Sequence, residues 1–274
     1  MNKAILPCRK YLSYFRMRFI GGLQYRAAAA AGISTQFAWG FLNILLFKAL
    51  YETNPAVFPM DFQALSAYIW LRQAFLAMMN SWTYDNELLD TISSGSIAYE
   101  LARPVDLYWF WMARTMSTRV SRAALRCMPI LLVAAFLPVP YGLTLPPTPV
   151  QAVFFLLTLV LACYCVCAFT MLVYISCFHT IHSQGIRMAA GTLADFLSGG
   201  YLPVLFMPQA LRTFVEYSPF GAMENLPFRI YSGSIAGAEM IRFVLLQVLW
   251  CLILTVIGKL WMSASLRHTV SQGG

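Results

Sequence analysis

The longest apolar run of the chain is VQAVFFLLTLVLACYCVCAFTMLVYISCF, residues 150–178, which contains no charged side chain. A helix needs about 20 mostly apolar residues to cross the hydrocarbon core of a bilayer, and this run is long enough. The chain as a whole has the same character, since 59% of its 274 residues are hydrophobic and only 11% are charged. Soluble domains are about 45–50% apolar and about 25% charged. The composition therefore excludes a soluble fold, a disordered chain and a coiled coil, and it predicts an integral membrane protein.

Five further segments have the length and apolar content of a membrane span, so we expect an all-α integral membrane protein with six transmembrane helices in a single domain, 1–274. The third segment carries three arginines in its first half, and glycine and proline interrupt the fifth. The six predicted spans are about 33–51, 62–82, 117–138, 150–178, 188–207 and 240–262.

The distribution of basic residues predicts the orientation of these spans. The first 30 residues contain six basic and no acidic residues, whereas the 52–61 loop has two acids and no base. The 139–149 loop has no charge at all. Because lysine and arginine accumulate on cytoplasmic loops, we expect both termini in the cytoplasm of a multi-pass protein of the bacterial plasma membrane. This distribution also accounts for the net charge of +8 without a nucleic-acid partner.

Residues 1–31 are predicted to form an amphipathic helix before the first span. Apolar residues recur there at spacings of three and four, which places them on one face of a helix. These residues are Ile5, Cys8, Leu12, Phe15, Phe19 and Leu23. Such a helix would lie flat in the inner headgroup region, and the alternative is a cytoplasmic helix packed on a partner.

The chain carries no motif of a known enzyme class. It has no phosphate-binding loop, no H-E-x-x-H and no G-x-S-x-G, so we predict no catalytic residue and no cofactor. His179 and His182 near Cys177 could bind zinc, but no fourth ligand lies near in sequence, which favours a short interfacial loop. The cysteines of 163–167 point about 200° apart around a helix. They are interpreted as buried apolar residues, and no metal site or disulfide framework is predicted.

Charged residues inside predicted spans indicate function, because each is costly in hydrocarbon. Arg72 lies in the second span and Asp195 in the fifth, and the two could form a pair. Arg119, Arg122 and Arg126 share one face of the third helix and could line a polar pathway or a subunit junction. The alternative is that the first two meet lipid headgroups, since long basic side chains reach the interface. Arg72, Arg126 and Asp195 are the pathway candidates.

Two segments resemble a known family. One is ISSGSIAYELARPVDLYWFWMAR, 92–114, with the pattern G-x-I-x-x-x-L-x-R-P, and it falls between spans two and three. The other is SGGYLPVLFMPQALRTFVEYSPFGAMENLPFRIYSG, 198–233, with S-G-x-x-x-P, S-P-F and P-x-x-I-Y-x-G, and it precedes the last span. These motifs, in this order, resemble the permease subunits of type-2 ABC exporters, in the six-span branch that pairs with a second permease and an ATPase.

The resemblance implies a half-transporter. The N-terminal helix would be an elbow helix, and a coupling helix in segment 83–111 would dock in a groove of the ATPase. An exterior hairpin of re-entrant helices, 198–236, would form a gate. The coupling residues would be Gly95, Ile97, Leu101, Arg103 and Pro104, and the gate residues Gly199, Gly200, Pro203, Pro219 and Phe220.

The implied partners are two copies of the ATPase, which would bind ATP and Mg²⁺, and a related permease that completes a dimeric membrane core. A homodimer is the alternative core. Residue chemistry supports a separate ATPase, because a subunit without a phosphate loop cannot drive transport by ATP itself.

The helix bounded by Gly95 and Pro104 is also too short to bury its own apolar side chains, so it needs a groove to fill. The alternative is that it packs on the elbow helix of its own subunit.

Two other functions stay open at this point. A gradient-driven carrier often shows inverted repeats and paired broken helices, whereas here only the fifth span is broken. A membrane-embedded enzyme acting on lipid would need a polar cluster at the interface, and His179 with His182 is the only candidate.

Overall fold

The computed structural model describes residues 5–180 and 183–267, and all regular structure in these two ranges is helical. The helices are α1 (Ile5–Gly22), α2 (Arg26–Thr53), α3 (Phe62–Met79), α4 (Asn86–Ser93), α5 (Ile97–Leu101), α6 (Leu107–Phe136), α7 (Pro149–Ser176), α8 (Ser183–Leu197), α9 (Gln209–Tyr217), α10 (Pro219–Met223), α11 (Asn225–Tyr231) and α12 (Gly237–Arg267). Short 3₁₀ turns occupy Pro55–Val57, Cys177–His179 and Val204–Phe206. An all-α protein is therefore confirmed for the described residues.

Three of the described helices are long and apolar enough to cross a membrane, namely α2, α12 and α7 together with the turn that follows it. They correspond to the predicted spans 33–51, 240–262 and 150–178. The other three predicted spans also fall on helices, but α3 and α6 carry arginines and α8 has only 15 residues. At 1.5 Å per residue, α8 is about 22 Å long, which is shorter than a hydrocarbon core of about 30 Å. The six-span topology thus stays a prediction.

Two helices, α6 and α8, differ most from their predicted limits. The third begins at Leu107 rather than near 117, because the Asp106 side chain accepts a hydrogen bond from Trp109 N at 3.2 Å and caps the helix there. The fifth ends at Leu197 rather than near 207. Gly199 has a φ of 95°, a conformation that glycine adopts without strain, and Pro203 leads into a 3₁₀ turn.

Helix α6 lies at the centre of the fold and packs against α1, α2, α3 and α7. Its Trp111 belongs to the largest apolar cluster, together with Tyr174 of α7. A second cluster joins α2, α3 and α6 around the fully buried Trp70. Gly40 of α2 permits the close approach there, since a Cβ at this position would lie 2.7 Å from the Trp70 ring.

Large apolar side chains are exposed along the long helices. They include Leu42, Leu45 and Leu46 on α2, Leu156 and Leu157 on α7, and Leu245, Leu249 and Leu252 on α12. Contiguous apolar surface of this extent is avoided by soluble monomers and is typical of a surface that contacts lipid or another subunit. The exposure pattern therefore agrees with a membrane protein.

Helix α1 packs on α6 in part through residues outside the predicted apolar stripe. Leu12 of that stripe is 66% exposed, whereas Tyr14 stacks on Phe110 of α6 with ring centroids 4.1 Å apart. A tyrosine presents an apolar ring together with a polar tip, so simple apolar periodicity does not identify it as a packing residue. At the end of α1, a Cβ on Gly22 would lie 2.2 Å from Ser121 Oγ, which shows how closely α1 and α6 approach.

Candidate functional site

The segment between α3 and α6 contains the residues predicted to couple to an ATPase, and an ion-pair cluster fixes its first helix. The Asp85 side chain caps α4 by accepting from Leu88 N at 3.4 Å. Arg114 of α6 donates to both oxygens of Asp85, at 2.6 and 3.0 Å, and also pairs with Glu87. Burial by itself lowers the pKa of Arg114, but the hydrogen bonds and charge of Asp85 outweigh this and raise it. Arg114 therefore stays charged and joins α4 to α6.

The loop before α4 is also bonded to two other helices. The backbone N–H of Asp85 donates to Tyr174 Oη of α7 at 2.7 Å. The hydroxyl of Tyr84 donates to the carbonyl oxygen of Arg187 on α8 at 3.2 Å. Burial raises the pKa of Tyr84 to about 12, so this hydroxyl keeps its proton and remains a donor at neutral pH. The 80–85 loop therefore connects α3, α7 and α8.

The structure corrects the expected role of Ile97. This residue was predicted to contact an ATPase, but it is only 1% exposed and belongs to the central apolar cluster. Gly95, with a φ of 71°, turns the chain between α4 and α5 so that Ile97 points into the core. The exposed apolar residues of α5 are instead Tyr99, at 80%, and Leu101, at 46%. The α5 helix was expected to bury its apolar side chains in a groove of the ATPase, but Ile97 is buried in its own subunit.

The end of this segment contacts α1. Lys10 Nζ donates to the carbonyl oxygen of Pro104 at 3.4 Å, and the backbone N–H of Asp106 donates to Tyr11 Oη at 2.9 Å. The Arg103 guanidinium lies 5.5 Å from the centroid of the Phe110 ring. Helix α1, the predicted elbow helix, thus touches the predicted coupling segment. The hydrogen bonds involve Pro104 and Asp106, and Tyr99 and Leu101 stay exposed.

A second group of charges is buried among α3, α8 and the short helices α10 and α11. Arg72 Nε lies 3.0 Å from Glu224 Oε1, and the Glu224 side chain is fully buried. The sequence left a pair of Arg72 with Asp195 open, and the structure pairs Arg72 with Glu224 instead. Asp195 is also buried and within electrostatic reach of both groups, but it forms no ion pair among the described residues. Nearby, Arg229 of α11 contacts Glu216 of α9, with Nη1 2.5 Å from Oε1.

Three of the predicted gate residues, Gly199, Gly200 and Pro203, form the break that follows α8. Gly199 takes the positive φ described above, and the backbone N–H of Gly200 donates to the carbonyl oxygen of Asp195 at 2.7 Å. A Cβ on Gly200 would lie 2.5 Å from the Asp195 carboxyl group. Pro203 precedes the 3₁₀ turn Val204–Phe206. The break therefore folds directly over a buried carboxylate.

The other two predicted gate residues, Pro219 and Phe220, lie at the start of α10. Ser218 caps this helix by accepting from Phe220 N at 3.2 Å, and Pro219 occupies its first position. Phe220 packs edge-on against Phe169 of α7 at 5.9 Å. It also packs on the apolar cluster that includes Leu197 and Val204. The structure thus brings Phe220 to the end of α8 and to the turn after it.

The three arginines on one face of α6 have different surroundings. Arg119 is 3% exposed and donates to four oxygens, those of Met78, Asn80 and Thr83 in the backbone and that of the Thr170 side chain. It satisfies carbonyls at the C-terminal end of α3, so its role is structural.

Arg126 is half-buried and reaches the carbonyl oxygen of Ala28 at 3.5 Å, whereas Arg122 is exposed. The three α6 arginines therefore differ in their burial and in their hydrogen-bond partners.

The residues considered as zinc ligands do not form a cluster in the described part of the chain. His179 Nε2 lies 2.9 Å from Ser265 Oγ, and its ring stacks on Trp261 at 6.2 Å. These contacts join the end of α7 to α12. His182 lies outside the described residues. Cys163, Cys165 and Cys167 are buried, as predicted.

Two residues that organise these sites, Glu224 and Arg114, were not predicted from the sequence. Each lies in a segment that carried the family resemblance, and each is a lone charge beside apolar residues. Because such a charge is costly to bury alone, its isolation signals that a partner exists. The identity of the partner depends on contacts over a long stretch of sequence and could not be predicted from spacing.

Comparison with models of known protein families gives a match over most of the chain. Residues 37–273 match the sequence model of a family described as "ABC-2 family transporter protein". No curated protein matches the chain. The matched range includes every helix from α3 to α12 and most of α2.

Proposed function

The chain belongs to the ABC-2 transporter family, and we propose that it is the membrane-spanning permease subunit of an ATP-driven exporter. The single observation that carries this proposal is the match over residues 37–273. In this proposal α2, α3, α6, α7, α8 and α12 are the six spans, and both termini are cytoplasmic in a bacterial plasma membrane. Two copies of a separate ATPase bind ATP and Mg²⁺, and a related permease completes the dimeric core, with a homodimer as the alternative.

The contacts of α4 and α5 support an ATPase docking site there. Arg114 fixes α4 to α6 through Asp85, and Ile97 anchors α5 in the core. Tyr99 and Leu101 of α5 remain exposed and form the proposed docking surface. A partner that pushed on these two side chains would therefore move α6 with them. Gly95, Arg103 and Pro104 shape the turns on either side of this surface and are proposed to position it.

The 198–236 segment is proposed to form the outer gate. Non-helical backbone at membrane depth requires protein or a water-filled cavity around it, and the break after α8 lies over the buried Asp195. The ion pair of Arg72 with Glu224 links α3 to the start of α11. A movement of α3 would therefore be transmitted to the gate through a contact that is expensive to break.

A gradient-driven carrier is the second candidate, and the buried carboxylates of Asp195 and Glu224 beside a single arginine favour it. Intramembrane acids of this kind also occur in proton relays. Transport by proteoliposomes that contain the chain without any ATPase would support this candidate. The ATP-driven exporter requires that such vesicles show no transport.

The test of the proposal is capture of the ATPase by variants of the exposed α5 side chains. Tyr99→Asp with Leu101→Asp places two charges on the proposed docking surface without touching the core. Burying an unpaired charge costs several kcal/mol, so capture of the co-expressed ATPase should fall by at least tenfold. The matched control is Leu145→Asp, which changes a residue 88% exposed in the loop between α6 and α7.

We expect all variants to insert in the membrane, and the control to capture the ATPase at the wild-type level. Capture by the double variant equal to that of the control would place the ATPase contact elsewhere.

A further inference from the structure

A cavity of about 600 Å³ lies between α1, the start of α2, α4 and α6. Its wall contains exposed residues such as Met17 and Tyr25 and buried residues such as Thr115 and Tyr174, so it extends from the surface into the interior. Five arginines but only two carboxylates line it, which leaves three positive charges in excess. The arginines are Arg18, Arg114, Arg119, Arg122 and Arg126.

Both carboxylates are already paired. Asp85 binds Arg114, and Glu87 contacts Arg114 and lies 3.5 Å from Arg18 Nη2. The Arg119 guanidinium is satisfied by backbone carbonyls and a hydroxyl, as described above. These three arginines therefore have partners, but those of Arg119 are neutral. The three positive charges in excess are thus Arg119, Arg122 and Arg126, and only the last two have no such set of partners.

Arg122 and Arg126 form no ion pair within the described residues. They lie four residues apart on α6, where like charges repel each other. Arg126 has one long hydrogen bond, 3.5 Å to Ala28 O, and its Nε is buried without a partner. A buried N–H that makes no hydrogen bond is costly, and a phosphate oxygen is a strong acceptor for such a guanidinium.

The wall of the cavity is apolar as well as basic. Ala28 and Ala29 of α2 and Leu125 of α6 line it beside the two arginines. Its volume is within the range of pockets that hold small ligands, about 300–1,000 Å³. Paired arginines next to apolar surface suit an anionic phosphate group that carries an apolar chain.

We propose that this cavity binds a phosphate group through Arg122 and Arg126. The group is the headgroup phosphate of a phospholipid or that of a soluble phosphate ester. The position of this cavity relative to the membrane rests on the proposed function, because the proposed six-span topology puts the cavity at the inner headgroup layer. The arginines hold the phosphate, and its negative charge offsets the repulsion between the two guanidinium groups.

The experiment uses the purified full-length chain, stripped of lipid in a neutral detergent. Native mass spectrometry measures binding of dioctanoyl phosphatidylglycerol, and dioctanoylglycerol serves as the probe with the same chains and no phosphate. The test variant is R122Q/R126Q. The matched control R9Q/R16Q removes two exposed arginines of α1 that lie outside the cavity.

We expect dioctanoyl phosphatidylglycerol to bind the wild type and the control alike, and to bind R122Q/R126Q at least about tenfold more weakly, since a charged hydrogen bond contributes about that factor. Dioctanoylglycerol should bind none of the proteins measurably. Equal affinity of the two double variants for dioctanoyl phosphatidylglycerol, with thermal unfolding unchanged, would overturn the proposal.

Competition with inorganic phosphate distinguishes the two sources. Displacement of the lipid by millimolar phosphate from the wild type indicates a soluble phosphate ester, and resistance to displacement indicates a lipid headgroup. Either result supports a phosphate site, provided that R122Q/R126Q binds the lipid more weakly than the wild type does. Because no ATPase is present, the outcome is independent of the ATPase-capture experiment on α5. The single variant R122Q, which changes an exposed residue, gives a second reading should R122Q/R126Q be poorly folded.

Discussion

Replacing Arg119 by methionine is expected to destabilise the protein strongly, although this residue lies outside the proposed ATPase docking surface and the proposed outer gate. The guanidinium donates to the carbonyl oxygens of Met78, Asn80 and Thr83, at 3.2, 2.7 and 3.2 Å. Methionine has a similar length and no donor, so Arg119→Met leaves all three carbonyls without the charged donor.

The magnitude follows from the number of lost bonds. An unsatisfied buried carbonyl costs about 1–3 kcal/mol, so three of them cost about 3–9 kcal/mol. Removing a buried charge returns several kcal/mol of desolvation free energy, which leaves a net loss of about 3 kcal/mol. A loss of that size lowers the unfolding midpoint of a chain of this length by about 6–12 °C.

The assay is thermal unfolding of the purified protein in detergent, followed by intrinsic fluorescence. Arg122→Met, one helical turn away at an exposed position, is the matched control and should change the free energy of unfolding by no more than about 0.5 kcal/mol. Arg119→Lys keeps the charge but can reach fewer of the oxygens, so its midpoint should fall between those of the wild type and Arg119→Met. A midpoint for Arg119→Met equal to that of the Arg122→Met control would refute the structural role of this arginine.

Three further predictions concern the 198–236 segment and the topology. Glu224→Gln should lower the free energy of unfolding by about 3–5 kcal/mol, because Arg72 is left buried without its partner. Adding Arg72→Met should restore part of this loss in thermal unfolding, and strict additivity of the two changes would contradict the ion pair. Gly200→Ala should cost about 1–3 kcal/mol in the same assay, because the new Cβ overlaps the Asp195 carboxyl group, and an unchanged midpoint would show that the break adapts freely. A cysteine at position 145, in a chain lacking its other accessible cysteines, should react with an impermeant maleimide added outside intact cells; reaction only after permeabilisation would invert the six-span topology.

The long apolar helices could be predicted from sequence because their signal is local. The runs that form α2, α7 and α12 exceed the length needed to cross a membrane and contain few charges, so their existence follows from composition alone. The limits of α6 and α8 were less accurate. They depend on the cap at Asp106 and on the turn at Gly199, and each of these is set by one backbone conformation.

The side-chain arrangement of the sites could be predicted only in part. The sequence identified Arg72 and Asp195 as buried charges, but Glu224, 152 residues from Arg72 along the chain, proved to be the partner. Ile97 lies in a five-residue helix, and so short an element has no periodicity from which to tell a core face from an exposed one. Distances along the sequence do not determine which side chains meet, and packing decides both cases.

ATP hydrolysis tests whether this chain depends on a separate ATPase that docks on α5. The measurement compares the pure chain with the complex that it forms with its ATPase, both in lipid nanodiscs. We expect no hydrolysis by the chain alone and hydrolysis by the complex. We also expect that Tyr99→Asp with Leu101→Asp abolishes any change that the chain makes to the rate of the ATPase. Hydrolysis by the pure chain, or a rate for the complex that the double variant leaves unchanged, would contradict this dependence.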